Sequence, residues 1–278
     1  MSMKMKRHVL DLLVMLLALA AGLLVVLPLI YGVFGAFRTP AEFAAWPPAF
    51  LPRSFANLDN FRRVLTMVPM GRYFLNSLIV ATLTSAVRLV LAVLSAYAFV
   101  FFRFPGRSFL FFFLLGTMML PGDTMLVTNY QTVARLGLLD TYTGMSIIAF
   151  VGASQMFMLR QAFRASPAAL RDAAMLDGCG DLRFIGSILI PVTRPVLVTL
   201  FTQSFVTAWN SYLWPLMVTN HNDMRTVQVG ITMLTTIEDT NYEVVLAGVA
   251  LSLIPALVLF LAMRRSITGA VTAGSLVG

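Results

Sequence analysis

Residues 166–195 read SPAALRDAAMLDGCGDLRFIGSILIPVTRP. This segment is charged and helix-patterned, yet it lies between two strongly apolar runs. Ser166-Pro167 predicts an N-cap followed by proline at the first helical position. Leu170, Ala173, Ala174 and Leu176 follow at near-helical spacing, so one face is small and apolar. Gly178 and Gly180 end that helix. A second short helical pattern, Leu182–Ile190, runs to Pro191 and Pro195. The expected product is a compact helix, glycine turn and helix between two membrane spans, which is the shape of a docking surface for another protein.

Composition sets the class around it. Of 278 residues, 59% are hydrophobic and only 12% charged, and 22 are Phe. The mean hydropathy is +0.84. Soluble domains carry about 25% charged residues, so lipid is the solvent for much of this chain. The net charge of +8 would suggest nucleic acid in a soluble protein. Here Lys and Arg sit in loops, where they fix topology. Cys179 is the one cysteine, so an internal disulfide is excluded, and His8 and His221 lie far apart. No cluster has metal-ligand spacing.

Working outward, six stretches are apolar and long enough to span as helices, at about 9–37, 74–102, 108–127, 143–159, 196–218 and 244–263. The expected fold is therefore all-α: a polytopic membrane protein with six transmembrane helices in one domain, 1–278. The first stretch is too long for a signal-peptide core and reads as a retained span. Pro121 in the third and Pro255 in the sixth predict kinks. With the N-terminus inside, twelve basic residues are cytoplasmic (Lys4, Lys6, Arg7, Arg103, Arg107, Arg160, Arg164, Arg171, Arg183, Arg194, Arg264, Arg265). Seven lie outside (Arg38, Arg53, Arg62, Arg63, Arg72, Arg135, Arg225), and Arg88 falls within a span. That bias places both termini and the 166–195 segment in the cytoplasm. The longest outer loop, 38–73, is expected at the membrane surface.

The run Leu170-Arg-Asp-Ala-Ala-Met-Leu-Asp-Gly-Cys-Gly180, followed by Phe184, Ile188, Pro191 and Pro195, resembles the EAA loop of ABC importer permeases. The family pattern is E-A-A-x-x-D-G-A and then a Pro about a dozen residues on. Asp172 stands where the family has Glu, and Cys179 where it usually has Ala. Asn76-Ser77, Ser95-Ala-Tyr-Ala-Phe99, Phe104-Pro-Gly-Arg107, Met119-Leu-Pro121, Leu139-Asp-Thr-Tyr-Thr-Gly144 and Trp209-Asn-Ser-Tyr-Leu-Trp-Pro215 are similar to carbohydrate-uptake permeases, as is the tail Gly269–Gly274 ending at Gly278. The chain looks like the second permease of such importers, related to the maltose importer's smaller membrane subunit. Phe102-Arg-Phe-Pro105 and the Trp-Asn-x-Tyr-Leu-Trp-Pro run look most like the glycerol-3-phosphate importer's permease.

This resemblance implies a transport subunit without catalysis of its own, in the plasma or inner membrane. It would pair as a heterodimer with a homologous second permease above two ATP-binding subunits, and an extracytoplasmic solute-binding protein would deliver a sugar or glycerol-phosphate-type solute. No cofactor is expected in this chain; ATP and Mg would be bound by the partner. The sequence has no G-x-x-x-x-G-K-[ST] phosphate loop with which to cradle ATP itself. Leu170, Arg171, Asp172, Ala173, Ala174, Leu176, Asp177, Gly178, Arg183 and Phe184 are the expected ATPase-coupling residues, and the bland reading of Asp172 and Asp177 is a solvated helix face. Trp209, Asn210, Tyr212 and Trp214 are candidates for the substrate path, since aromatic faces and an amide suit a sugar or polyol. A helix–helix hydrogen bond with aromatic packing explains them equally. Arg88 either snorkels, pairs with a partner or serves the solute. A secondary transporter or channel driven by an ion gradient would need acidic carriers in the spans, and a membrane enzyme would need a buried dyad.

Overall fold

The computed structural model describes residues 3–47, 49–237 and 241–275, and every regular element among them is helical. In chain order these are α1 (Met3–Gly35), α2 (Pro40–Ala44), α3 (Asp59–Met67), α4 (Met70–Phe101), α5 (Arg107–Gly116), α6 (Leu126–Arg135), α7 (Tyr142–Ser146) and α8 (Ala153–Ala165). There follow α9 (Ala168–Leu176), α10 (Asp181–Phe184), α11 (Ile190–Val192), α12 (Arg194–Trp209), α13 (Leu213–Val218), α14 (Val227–Ile237) and α15 (Tyr242–Ser275). By length and composition, α1 over Asp11–Gly35 and α4 each qualify to cross a bilayer. So do two bent pairs, Tyr142–Ala149 with Ala153–Ala165 at 57° and Asp181–Val192 with Arg194–Trp209 at 86°. Gly278, where the C-terminal pattern ends, lies outside the described residues.

The chain divides into two compact units, one of residues up to Met70 with Gly230–Ile254, the other of Gly71–Val229 with the residues from Pro255 on. In the first unit, the apolar window of α1 is 0% buried. Leu17, Leu24 and Val25 are largely exposed, so this surface suits lipid or another chain. The 38–73 loop is built onto the end of α1. Asn60 Nδ2 donates to the carbonyls of Ala36 at 2.9 Å and Arg38 at 2.7 Å, and Asn57 Nδ2 to that of Phe37 at 3.1 Å. These bonds satisfy carbonyls that a helix end leaves without partners. Buried Arg38 reaches Tyr31 Oη and the Phe50 carbonyl at 3.1 and 2.8 Å. A reciprocal capping box, Thr39 with Glu42, starts α2.

The second unit packs around α4. A buried cluster of Ala92, Ala96, Tyr97, Phe99, Phe111, Leu159, Phe163 and Phe184 joins α4, α5, α8 and α10. In lipid such contacts are held by close packing, because apolar side chains gain little by leaving the hydrocarbon; Ala92 and Ala96 let neighbours approach.

Three expected spans are interrupted. Between 108 and 127, α5 ends at Gly116, a 3-10 turn follows to Met119, and Leu120-Pro121 break the helix. Thr117 and Thr124 hydroxyls then donate to the carbonyls of Leu114 and Pro121 at 2.6 and 2.7 Å, which is how freed backbone acceptors are tolerated inside a membrane. Between 143 and 159 the break falls at Phe150–Gly152, where Arg88 Nε donates to the Ala149 carbonyl at 2.5 Å. Between 196 and 218 it falls at Asn210–Tyr212. Pro215 sits in the first turn of α13, where a missing N–H costs nothing, so the opening lies one turn before it. Helix α15 continues through Pro255.

Candidate functional site

The 166–195 segment forms the expected helix, turn and helix, with one local correction. Ser166 does not cap α9; it ends α8, and its hydroxyl donates to the Ala162 carbonyl at 3.2 Å. Pro167 occupies the cap position instead, with no side-chain hydrogen bond. The preference of Ser for caps lost to the continuation of the preceding helix. At the other end Gly178 has φ +71. The Cys179 N–H donates to the Ala174 carbonyl at 2.8 Å and the Gly178 N–H to that of Met175 at 3.1 Å. That pair of bonds is a Schellman closure, which needs a left-handed residue at this position. The helix after Gly180 runs from Asp181 to Val192 and includes a π turn, Ile185–Leu189.

The expected coupling residues divide by where they face. Ala174 and Phe184 are buried, and Arg171 is half-buried. Arg171 lies over the Phe101 ring at 4.6 Å and donates to the Phe101 carbonyl at 3.2 Å, so it caps the C-terminus of α4. The Phe184 ring meets Phe101 edge-on at 5.9 Å. Tyr97 Oη donates to Asp181 Oδ1. These contacts fasten the turn to the end of α4. Tyr97 lies within Ser95–Phe99, 84 residues from Asp181, so no local sequence pattern links the two. Facing outward are Asp172, Ala173, Leu176, Asp177, Gly178 and Arg183, with Leu170 at the edge of a small cleft beneath α9. Leu176 is 89% exposed and Leu182 79%. Two exposed leucines on either side of a left-handed turn would be costly in water without a surface to cover them.

Span five shows the reverse distribution. Trp209 and Trp214 are buried. Trp209 stacks on Phe205 at 6.0 Å, and Trp214 Nε1 donates to the Gly144 carbonyl at 3.1 Å. A Cβ at Gly144 would collide with the Leu138 carbonyl oxygen. Hence Leu139–Gly144 is the seat for Trp214: Thr141 caps α7 through the Gly144 N–H at 3.0 Å. Asn210 and Tyr212 are exposed at the break, and Asn210 Oδ1 accepts from Gln228 Nε2 at 3.3 Å. Behind the break is a cavity of about 90 Å³ lined by Thr84, Arg88, Thr207, Ser211 and Trp214 among others. At the other end of α4, Asn76 Nδ2 donates to the carbonyls of Asp223 and Arg225 at 2.7 and 2.8 Å, and Tyr142 Oη donates to Asn76 Oδ1 at 2.9 Å. Asp140 accepts from the Asn220 and His221 N–H groups at 2.6 and 2.9 Å. Burial pushes its carboxyl up, but those backbone donors outweigh burial and hold it below the usual carboxylate range.

This helical framework has the fold of an ABC transporter permease. It matches a chain of the bacterial ABC transporter involved in the import of the acidic polysaccharide alginate with a TM-score of 0.81, at 21% identity, over 94% of this chain and 97% of that one. No family model matches the chain. It is 37% identical over 199 residues, 71% of each chain, to the sn-glycerol-3-phosphate transport system permease protein UgpE of Yersinia pestis bv. Antiqua (strain Antiqua). To the protein of the same description from Brucella abortus (strain 2308) it is 31% identical over 259 residues, 90% of this chain and 92% of that one. The chain belongs to the family of ABC importer permeases. It is a transport subunit and not the ATPase, and in this family ATP is bound by a partner.

Proposed function

We propose that this chain is one of two homologous permeases in a binding-protein-dependent importer for sn-glycerol-3-phosphate or a related sugar-type solute, and that 166–195 is where its ATPase docks. The curated relatives named for sn-glycerol-3-phosphate transport support the solute class. The observation that carries the docking role is the pair Leu176 and Leu182, exposed around Gly178 on a turn fastened to α4. A hydrophobic knob on a rigid mount transmits force; a knob on a loose loop would not. Outward-facing Asp172, Asp177 and Arg183 give that surface a polar rim. Arg171, Ala174 and Phe184 serve coupling from beneath, as the mount.

The reading includes six spans in one domain, 1–278, with both termini cytoplasmic, in the plasma or inner membrane. It is supported by the charge bias and by the apolar stretches, each broken one counting as a single crossing. A pair of ATP-binding subunits and an extracytoplasmic binding protein complete the assembly. The solute passes the break at 210–212, with Asn210 and Tyr212 at its surface and Trp209 and Trp214 holding the adjoining walls. Reconstituting the complex in vesicles tests the reading: uptake should require ATP and the binding protein and persist when ion gradients are collapsed. Uptake that follows an ion gradient without ATP would instead make this a secondary transporter.

A further inference from the structure

The cavity behind the span-five break holds more unspent hydrogen-bonding capacity than packing requires. Arg88 lies near the middle of α4, and Nε bonds the Ala149 carbonyl. Its Nη1 and Nη2 have no partner among the described residues, and no carboxylate there pairs with it. Thr84 is 1% exposed, and its Oγ1 has no hydrogen bond. Ser211 contributes a third polar group from the break itself. Thr207, on the same wall, already donates to the Gln203 carbonyl at 2.8 Å, and Trp214 has spent its N–H on Gly144. A cation at membrane depth is costly and normally has a counter-charge. A buried hydroxyl without a partner is likewise costly.

We propose that Arg88, Thr84 and Ser211 form an oxyanion subsite that receives the charged group of the transported solute. A guanidinium edge with two hydroxyls matches a tetrahedral or planar oxyanion, and the anion would supply the missing counter-charge. A neutral polyol would leave that charge uncompensated. The cavity has room for a few waters or one such headgroup, so the rest of the solute lies outside it. Arg88 then has two tasks on separate nitrogens: Nε holds the end of the helix before Phe150, and the Nη groups face the ligand. The inference rests on the importer reading above and adds to it the residues that receive the solute's charged group.

The test uses the whole complex in vesicles, with glycerol-3-phosphate, glucuronate and a neutral disaccharide as separate probes. Wild-type uptake should favour the anions, and the ratio between phosphate and carboxylate tells which oxyanion the site prefers. Arg88→Gln should lower anion uptake at least about tenfold. Thr84→Val guards against a folding artefact. If Thr84 only packs, removing an unsatisfied hydroxyl at nearly constant volume leaves uptake unchanged; if it bonds the anion, the KM for the anion rises several-fold while complex yield holds. Unchanged anion uptake in both variants, or wild-type uptake confined to the neutral sugar, overturns the subsite. If the wild type transports none of the three, the solute reading fails. The subsite is then judged by thermal stabilisation of the complex by inorganic phosphate: a shift lost in Arg88→Gln upholds it, and no shift in the wild type overturns it.

Discussion

Residues 166–195 and 207–215 are both helices interrupted at a turn, and they dispose their side chains in opposite ways. In the first, the anchoring groups (Arg171, Ala174, Phe184) point into the subunit and two leucines stand exposed at the tip. In the second, Trp209 and Trp214 are buried, and the polar groups near the break border a cavity. The first arrangement presents apolar area at the tip of an anchored turn. The second presents unspent hydrogen bonds that only a polar ligand or water can use. We propose that the first surface is pushed by the ATPase and the second filled by the solute.

Gly178→Asp should produce the largest loss on the outward-facing side. Nothing lies within 4 Å of a Cβ built at Gly178, so the subunit itself has room for the side chain. The backbone strain is about 1–2 kcal/mol, and Gly178→Asn, which tolerates the left-handed conformation better, separates it from interference with the partner. ATP-driven uptake should fall on the order of a hundredfold in Gly178→Asp, the scale of losing an interface hot spot, with membrane insertion unaltered. Normal uptake at normal expression would place the partner elsewhere.

Trp214→Ala tests the inward-facing side. Removing a buried indole and its bond to Gly144 should cost about 3–5 kcal/mol of stability, read as reduced complex yield and a lower thermal midpoint in detergent. An unchanged midpoint would mean the seat at Leu139–Gly144 does not hold the break.

A smaller effect is expected at Asp140, which joins the loop before α7 to the loop after α13. Its folded pKa is depressed, so its stabilisation is fully present above the unfolded value and is lost as pH falls through the folded one. Asp140→Asn should lower stability by about 1 kcal/mol at neutral pH and weaken the acid sensitivity of the thermal midpoint. Identical pH profiles for the two proteins would remove Asp140 from that role.

Sequence revealed the outward-facing region more fully than the inward-facing one. Left-handed turns leave a local mark, and Gly178 carried it. The six apolar stretches were equally plain, because hydropathy needs only composition. The break at Phe150–Gly152 leaves no local mark, because an apolar average runs over it unaltered; in span five Pro215 marks an opening, but not its place at Asn210–Tyr212. What marks them is remote: Arg88 on α4 satisfies Ala149, and Gly144 receives Trp214. Ser166 has the local mark of an N-cap, yet it is spent ending α8, where its hydroxyl bonds the Ala162 carbonyl. Glu243, in the first turn of α15, is buried, although it follows the polar run Glu238-Asp-Thr-Asn241; burial is not a local property.

Cross-linking measures the central claim most directly. With Cys179→Ala removing the one native thiol, Leu176→Cys in the assembled importer should form a cross-link to the ATP-binding subunit through a short bifunctional reagent, and its yield should change when ATP is bound. Position 57, in the 38–73 loop, should give none under the same conditions. A Leu176→Cys thiol that stays open to bulky water-soluble reagents in the assembled complex, with no cross-link to the ATPase, would contradict the docking role of 166–195.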